Sequence, residues 1–145
     1  MNPNVRGPVH RILGDLSNVR LTQPLNYIAF INLLRESYLV LTDSGGVQEE
    51  APSFGIPILV LRDVTERPEN VEAGTARLVG SDRERIVSNV RRLIENPDEY
   101  SAMSRATNPY GDGKAAKRIV NALLKERSGT ELSGCIATVS FREEA

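Results

Sequence analysis

The sequence is poor in cysteine and has no long apolar run. Its one cysteine, Cys135, cannot form an internal disulfide, and no stretch approaches the roughly 20 apolar residues that a membrane helix needs. Residues 1–6 also lack the apolar core of a signal peptide. These absences exclude a disulfide scaffold and predict a protein of the reducing cytoplasm with no membrane partner.

An excess of charge of one sign is also missing. The chain has 18 basic and 19 acidic residues, a formal net charge of -1, and its basic residues are scattered along the sequence. A nucleic-acid partner is therefore not expected. No spacing of cysteine, histidine and carboxylate residues is typical of a metal site, so we expect neither a metal nor a cofactor. Cys135 has no partnered base and is not expected to be a nucleophile.

What the 145 residues do contain is an alternation of short apolar strands and amphipathic helices, enough for one domain. The predicted strands are 18–22, 38–41, 57–61 and 76–79, with 62–74 left irregular. The predicted helices are 4–13 with Pro8 in its first turn, one capped by Asn26, 47–54 closed by Gly55, two that follow caps at 81–82 and at 96, and 114–127. Continuous apolar strands joined to helices by short connections indicate an α/β fold, with a parallel sheet covered on both faces.

Residues 42–69 are the most informative segment. The pair Gly45-Gly46 follows a predicted buried strand and would let the backbone turn sharply into a helix. A helix start presents free N–H groups to an anion, and the carboxylates of Glu49 and Glu50 follow at once. The segment therefore predicts a site that holds a phosphate and a sugar.

The same segment carries a family resemblance. Its motifs are Thr-Asp-Ser-Gly-Gly-Val-Gln-Glu-Glu at 42–50, Arg-Asp at 62–63 and Thr-Glu-Arg-Pro-Glu at 65–69, and they closely resemble the non-hydrolysing UDP-N-acetylglucosamine 2-epimerases. The resemblance continues through Glu-Ala-Gly-Thr at 72–75, Leu-Val-Gly at 78–80 and Asn-Pro-Tyr-Gly-Asp-Gly at 108–113. It covers residues 2–126, nearly the whole chain.

The resemblance implies a Rossmann-like three-layer sandwich with a parallel sheet, equivalent to the C-terminal half of a GT-B-like two-domain fold. Residues 1–127 would be the UDP-binding domain, incomplete at its N-terminus, and 128–145 an unmatched tail that could be disordered. The implied reaction is the interconversion of UDP-GlcNAc and UDP-ManNAc through elimination and re-addition of UDP, an isomerase step of cell-envelope polysaccharide biosynthesis. In the family the groups that move the C2 proton lie on the N-terminal domain, so we expect this chain to be inactive alone. His10, the only histidine, matches no functional histidine of the family and is expected to be a surface or partly packed residue.

The resemblance assigns substrate contacts and no catalytic residue. The substrate-binding positions are Leu25, Phe30, Ser44, Gly45, Gly46, Glu50 and Arg67. The turn that starts at Ser44 would hold the pyrophosphate, and Arg67 would place its fork on phosphate oxygens. Glu50, in the first turn of its helix, would accept hydrogen bonds from the ribose, and Leu25 and Phe30 would lie near the uracil.

Each assignment has a plainer alternative. Ser44 could be an ordinary N-cap and Phe30 a plain core residue. Arg67 could be a surface arginine paired with Glu66 or Glu69. Glu49, about 100° away from Glu50 on the helix, is expected to be solvated or a first-turn charge.

Two other functions stay open. One is a stand-alone UDP-binding or nucleotide-sugar-binding module, or a subunit that complements a separate N-terminal half. The other is a GT-B glycosyltransferase donor domain, against which the Arg67 motif argues. The expected partners are UDP-GlcNAc or UDP, together with the missing N-terminal domain or a homo-oligomer partner, since an uncovered domain face would drive self-association.

Overall fold

The computed structural model describes residues 3–127. A parallel sheet of three strands in the order β1-β2-β3 forms its centre: β1 Val40–Thr42, β2 Ile58–Val60 and β3 Ala76–Leu78. In the register, β1 runs beside β2 from Val40 opposite Ile58, and β2 beside β3 from Ile58 opposite Ala76. The three strands predicted after residue 37 and the parallel α/β class are confirmed.

Helices precede, connect and follow the strands along residues 3–127. They are α1 Pro3–Leu13, α2 Tyr27–Arg35, α3 Gly45–Glu50, α4 Pro68–Glu72, α5 Arg83–Glu95, α6 Pro97–Ser104 and α7 Ala115–Arg127. A 3-10 turn, Ala51–Phe54, continues α3 and ends at Gly55, whose φ of 66° lies in the left-handed region. A Cβ on Gly55 would also meet the Ser104 carbonyl oxygen at 2.8 Å, so the closure of this turn requires glycine on two grounds.

The core lies on both faces of the sheet because successive residues of β2 point to opposite sides. Ile58 and Val60 pack with Leu34 of α2 and with the 3-10 turn, whereas Leu59 packs with Leu93 of α5 and Met103 of α6. All three residues of β2 are fully buried. The predicted three-layer arrangement is therefore confirmed, with α2 on one face and α5 and α6 on the other.

Asn96 joins α5 to α6 without a linker. Its backbone N–H donates the last helical hydrogen bond of α5, to the Arg92 carbonyl at 2.9 Å, and its own extended backbone ends the helix. Its side-chain Oδ1 accepts hydrogen bonds from the backbone N–H groups of Asp98 and Glu99, each at 3.1 Å, and so begins α6. The predicted stop and start at this asparagine are confirmed, as are the caps at Asn26 and Asp82.

A charged cluster ties β3 to these two helices. Its members are Arg77 of β3, Arg92 of α5 and Glu99 of α6. The Glu99 carboxylate accepts from Arg77 Nη2 at 2.5 Å and from Arg92 Nε at 3.2 Å, while Arg77 Nη1 donates to Asn89 Oδ1 at 2.9 Å. The Arg77 hydrogen bond and the positive charges around it hold the pKa of Glu99 below its ordinary value.

Three sequence-based predictions about secondary structure are wrong. Residues 18–22 are not a strand, because an isolated segment has no ladder to join and nothing in residues 3–127 pairs with it. Pro8 lies inside α1 and not in its first turn, since the helix begins earlier than expected. The stretch 62–74 contains α4, whose opening Pro68 and first-turn Glu69 were recognisable start signals.

Residues 110–127 belong to a second compact unit. The predicted last helix is confirmed as α7, and an ion pair joins Asp112, which precedes the helix, to Arg118 within it. Arg118 donates to both carboxylate oxygens of Asp112, at 2.8 and 2.9 Å, and this pairing lowers the pKa of Asp112. The predicted tail over 128–145, with Cys135, lies outside the described residues, and the domain boundary at 127 stays a prediction.

Candidate functional site

The candidate phosphate turn lies where β1 leads into α3. Ser44 is the N-cap residue of α3, as the plainer alternative proposed, but its hydroxyl forms no capping hydrogen bond. Its backbone N–H donates to Thr42 Oγ1 at 3.0 Å, and its carbonyl accepts from the backbone N–H of Gln48 at 3.3 Å. The exposed Ser44 hydroxyl therefore does not satisfy a backbone group of its own helix and can meet a ligand.

Gly45 and Gly46 do not form the sharp turn that the sequence predicts. They are the first two residues of α3, and neither has a positive φ. A Cβ at Gly45 would come no closer than 3.9 Å to Arg67 Nη2, and one at Gly46 no closer than 3.9 Å to Ser44 Oγ. Since neither the backbone nor the packing demands glycine, what the pair provides is an open surface that lets a ligand approach the main chain.

Arg67 lies beside this open surface and is held there. It is the N-cap residue of α4, and the following Pro68 restricts its backbone. Its side-chain Nε donates to Glu49 Oε1 at 2.5 Å, and its Nη1 donates to the Glu66 carbonyl at 3.0 Å. The structure thus brings a cation from the Thr-Glu-Arg-Pro-Glu motif to the start of α3, as a phosphate site needs.

The two glutamates of α3 have other roles than the sequence predicts. Glu49 is neither solvated alone nor a first-turn charge, because α3 starts at Gly45 and the Glu49 carboxylate pairs with Arg67. That pair also replaces the expected alternative partners of Arg67, the carboxylates of Glu66 and Glu69. Glu50 is the last residue of α3 and not part of its first turn. Its half-buried carboxylate makes no hydrogen bond to another residue of 3–127, so it keeps its acceptor capacity for a ligand.

A neutral network lies directly behind this surface, and the sequence reasoning missed it. Its members are Gln48, Thr65, Asn70 and Thr75. Thr65 Oγ1 donates to Gln48 Oε1 at 2.8 Å, Asn70 Nδ2 donates to the Gln48 carbonyl at 2.7 Å, and Thr75 Oγ1 donates to Asn70 Oδ1 at 2.9 Å. Gln48 is 1% exposed and Asn70 0% exposed. The network fixes α3 against the loop that carries Arg67 and against α4.

The proposed uracil side is less organised. Leu25 lies in the irregular stretch before α2 and is exposed. Phe30, on α2, packs against the buried cluster that contains Leu34 and Ala51, as the plain core alternative proposed. That cluster includes the residue directly after Glu50. A contact of Leu25 or Phe30 with a base stays a prediction.

The remaining sequence-based expectations concern His10, metal binding and membrane helices. His10 is exposed on α1, as expected. Within residues 3–127 no group of three or more histidine, cysteine, aspartate or glutamate side chains is placed to hold a metal ion. Among the helices of that same range, none combines the length and the apolar character needed to cross a membrane. The arrangement can bind an anion and a hydroxylated sugar, through Ser44, the open main chain at Gly45, Arg67 and Glu50.

Comparison with known proteins identifies the family. The family model described as UDP-N-acetylglucosamine 2-epimerase matches residues 1–124. A UDP-N-acetylglucosamine 2-epimerase from Escherichia coli strain K12 is 60% identical over 127 residues, which are 88% of this chain and 34% of that protein. One from Bacillus subtilis strain 168 is 56% identical over 124 residues, 86% of this chain and 33% of that protein. The chain therefore spans about a third of the length of these curated relatives.

Solved structures agree in fold. The Neisseria meningitidis UDP-GlcNAc 2-epimerase bound to UDP-GlcNAc superposes with a TM-score of 0.81 at 52% identity, over 86% of this chain and 34% of that one. The S. aureus MnaA structure with UDP gives a TM-score of 0.80 at 46% identity, over 92% and 36%. The predicted Rossmann-like half of a GT-B-like fold is thereby confirmed. The sequence motifs, the parallel sheet and these matches together show that the chain belongs to the UDP-N-acetylglucosamine 2-epimerase family.

Proposed function

We propose that this chain provides the UDP-binding part of a UDP-N-acetylglucosamine 2-epimerase. The enzyme would interconvert UDP-GlcNAc and UDP-ManNAc by eliminating UDP and adding it back, in cytoplasmic polysaccharide biosynthesis. The observation that carries the proposal is the placement of Arg67 Nη2 beside the glycine start of α3, next to the uncapped hydroxyl of Ser44. Family membership and the ligands named for the two solved relatives, UDP-GlcNAc and UDP, support it.

The residues divide by the part of the nucleotide that each would bind. The main chain at Gly45 and Gly46, the Ser44 hydroxyl and the Arg67 fork would bind the pyrophosphate, on which negative charge develops as UDP leaves. Glu50 would accept hydrogen bonds from the ribose hydroxyls. Leu25 and Phe30 would flank the uracil. Stabilising UDP as leaving group and returning nucleophile is the half of the reaction that these residues can perform.

Proton transfer at C2 is the other half, and we assign it to no residue of this chain. Glu49 is paired with Arg67, and Glu50 is committed to the ribose in the proposed site. Purified chain mixed with UDP-GlcNAc is therefore expected to yield no UDP-ManNAc. Turnover by the purified chain, followed by chromatography of the two nucleotide sugars, would overturn this division of labour.

Calorimetric titration with UDP tests the binding site. Wild type is expected to bind UDP, and Glu50→Ala to bind it about tenfold more weakly because the ribose loses a charged acceptor. The matched control is Glu95→Ala, which removes an exposed carboxylate from α5 and should leave the affinity unchanged. Equal affinity of wild type and Glu50→Ala would remove the ribose contact from the proposal.

A further inference from the structure

We propose that Glu49 is a positioning residue that holds the Arg67 guanidinium in the orientation needed to meet the pyrophosphate of UDP. The inference rests on the proposed function and adds a residue that the sequence reasoning had set aside. Its basis is the hydrogen bond from Arg67 Nε to Glu49 Oε1 at 2.5 Å, together with the proximity of Arg67 Nη2 to Gly45. Glu49 would act only through Arg67 and would not touch the nucleotide.

Three contacts fix Arg67 from its backbone to its fork. The backbone N–H donates to Thr65 Oγ1 at 3.1 Å, Nη1 donates to the Glu66 carbonyl at 3.0 Å, and Nε donates to Glu49. The first two contacts lie within the Arg67 loop itself. Of these three contacts, the one with Glu49 ties the guanidinium to α3, the element that carries the phosphate turn. Without the Glu49 contact, the Arg67 side chain would keep its contacts within the loop but would no longer be held beside Gly45.

The neutral network holds the helix that carries Glu49 in a fixed position. Gln48, its neighbour in α3, is buried and accepts hydrogen bonds from both Thr65 and Asn70. The helix therefore cannot rotate or slide relative to the loop without breaking buried hydrogen bonds. A glutamate on such a helix presents its carboxylate at a constant place, which is what a positioning role requires.

Because Glu49 is negatively charged, a positioning role and a purely electrostatic role predict opposite changes in UDP affinity when the charge is removed. A carboxylate near a pyrophosphate repels it, so removal of a merely neighbouring negative charge should tighten UDP binding. Removal of a positioning carboxylate should weaken it, because the guanidinium then has to be ordered when the ligand binds. The Glu49 and Arg67 side chains are 43% and 34% exposed, so the pair adds little to fold stability, and substitution at Glu49 should leave the chain folded.

The experiment measures binding of UDP and of uridine to wild type, Glu49→Gln, Glu49→Asp, Arg67→Met and the double variant Glu49→Gln/Arg67→Met. Glu49→Gln is expected to weaken UDP binding about tenfold and to leave uridine binding unchanged. Glu49→Asp keeps the charge but withdraws it by one methylene, and is expected to weaken UDP binding as well. In the Arg67→Met background, Glu49→Gln should have no further effect. The matched control is Glu66→Gln. It removes the carboxylate next to Arg67 in the sequence, which pairs with Arg62, and keeps the backbone carbonyl that accepts from Arg67.

Three results would overturn the positioning role, and they point to different faults. Tighter or unchanged UDP binding by Glu49→Gln, with wild type binding UDP, would reject the role of Glu49 and leave the proposed function standing. An equal loss of uridine and UDP affinity would show a structural effect of the substitution. No UDP binding by wild type would reject the proposed function and this role with it. The Arg67 Nε–H resonance in the free protein gives a ligand-independent check, since its protection from exchange should disappear in Glu49→Gln.

Discussion

The neutral network behind the candidate site and the charged cluster between β3, α5 and α6 solve the same packing problem in opposite ways. Both join a strand or loop to helices through polar side chains. The neutral network, with Asn70 0% exposed, uses only amides and hydroxyls, whereas the charged cluster keeps Glu99 16% exposed and surrounds it with two arginines. Full burial suits groups without charge, since desolvation penalises ions far more than amides.

The difference also matters for the proposed site. The neutral network adds rigidity behind α3, and its own members bring no charge to the site. The charged cluster links β3 to α5 and α6, where stability can depend on pH and salt without disturbing UDP binding. The comparison predicts that substitutions in the two clusters differ in size, in pH dependence and in salt dependence.

The largest effect is expected for Asn70→Ala in the neutral network. The change leaves the Gln48 carbonyl without its side-chain donor and the Thr75 hydroxyl with only the backbone carbonyl of residue 70, and should lower the free energy of unfolding by about 3 kcal/mol. Urea denaturation measures it. Asn32→Ala makes the same change at an exposed position of α2 and should stay within about 0.5 kcal/mol of wild type. A loss at Asn70 no larger than at Asn32 would contradict the importance of the network.

An intermediate and pH-dependent effect is expected for Glu99→Gln. Near neutral pH the loss of the charged acceptor for Arg77 and Arg92 should cost about 2 kcal/mol. Because the pKa of Glu99 is lowered in the folded state from its ordinary value of 4.5, its contribution is complete above that value. It is lost as the pH falls through the lowered folded value.

Urea titrations of wild type and Glu99→Gln across the acid range check this behaviour. The difference between them should shrink on acidification, whereas the Asn70→Ala difference should stay constant, since no titratable group belongs to the neutral network. A Glu99→Gln difference that is flat with pH would remove the contrast between the two clusters.

The smallest effect is expected for Arg92→Gln. Its side chain is 63% exposed, against 30% for Arg77, so solvent screens its share of the Glu99 pair and the cost should be about 0.5 kcal/mol or less. The cost should vanish at high salt. Arg91→Gln, an exposed neighbour on α5, is the control. A cost for Arg92→Gln as large as that for Glu99→Gln would mean that Arg92 carries the interaction with Glu99 despite its exposure.

The sequence predicts the framework well where a local signal exists. Asn26, Asp82 and Asn96 are strong caps, and each starts its helix as expected. The continuous apolar run of β2 predicts a strand buried on both faces, which is what the structure shows. The segment 18–22 has the alternation of a strand but no neighbour to pair with, and local pattern cannot supply one.

The sequence predicts which residues belong to the candidate site but not which of them contact one another. Ser44, Gly45, Gly46 and Arg67 are recognisable by their motifs, and the structure gathers them at one place. The Glu49–Arg67 pair joins residues 18 positions apart, so no helical or strand spacing reveals it. Gln48 is followed by two glutamates and looks exposed in sequence, although it is buried and accepts hydrogen bonds from Thr65 and Asn70.

Because Asn96 bonds to both α5 and α6, the two helices are expected to open together. Its N–H group holds the last turn of α5, and its Oδ1 holds the first turn of α6, including the backbone of Glu99. Fraying at this junction therefore removes the cap of one helix and the last hydrogen bond of the other in a single event. The two helices should open as one foldon, with amide protons on either side of Asn96 exchanging at a common rate.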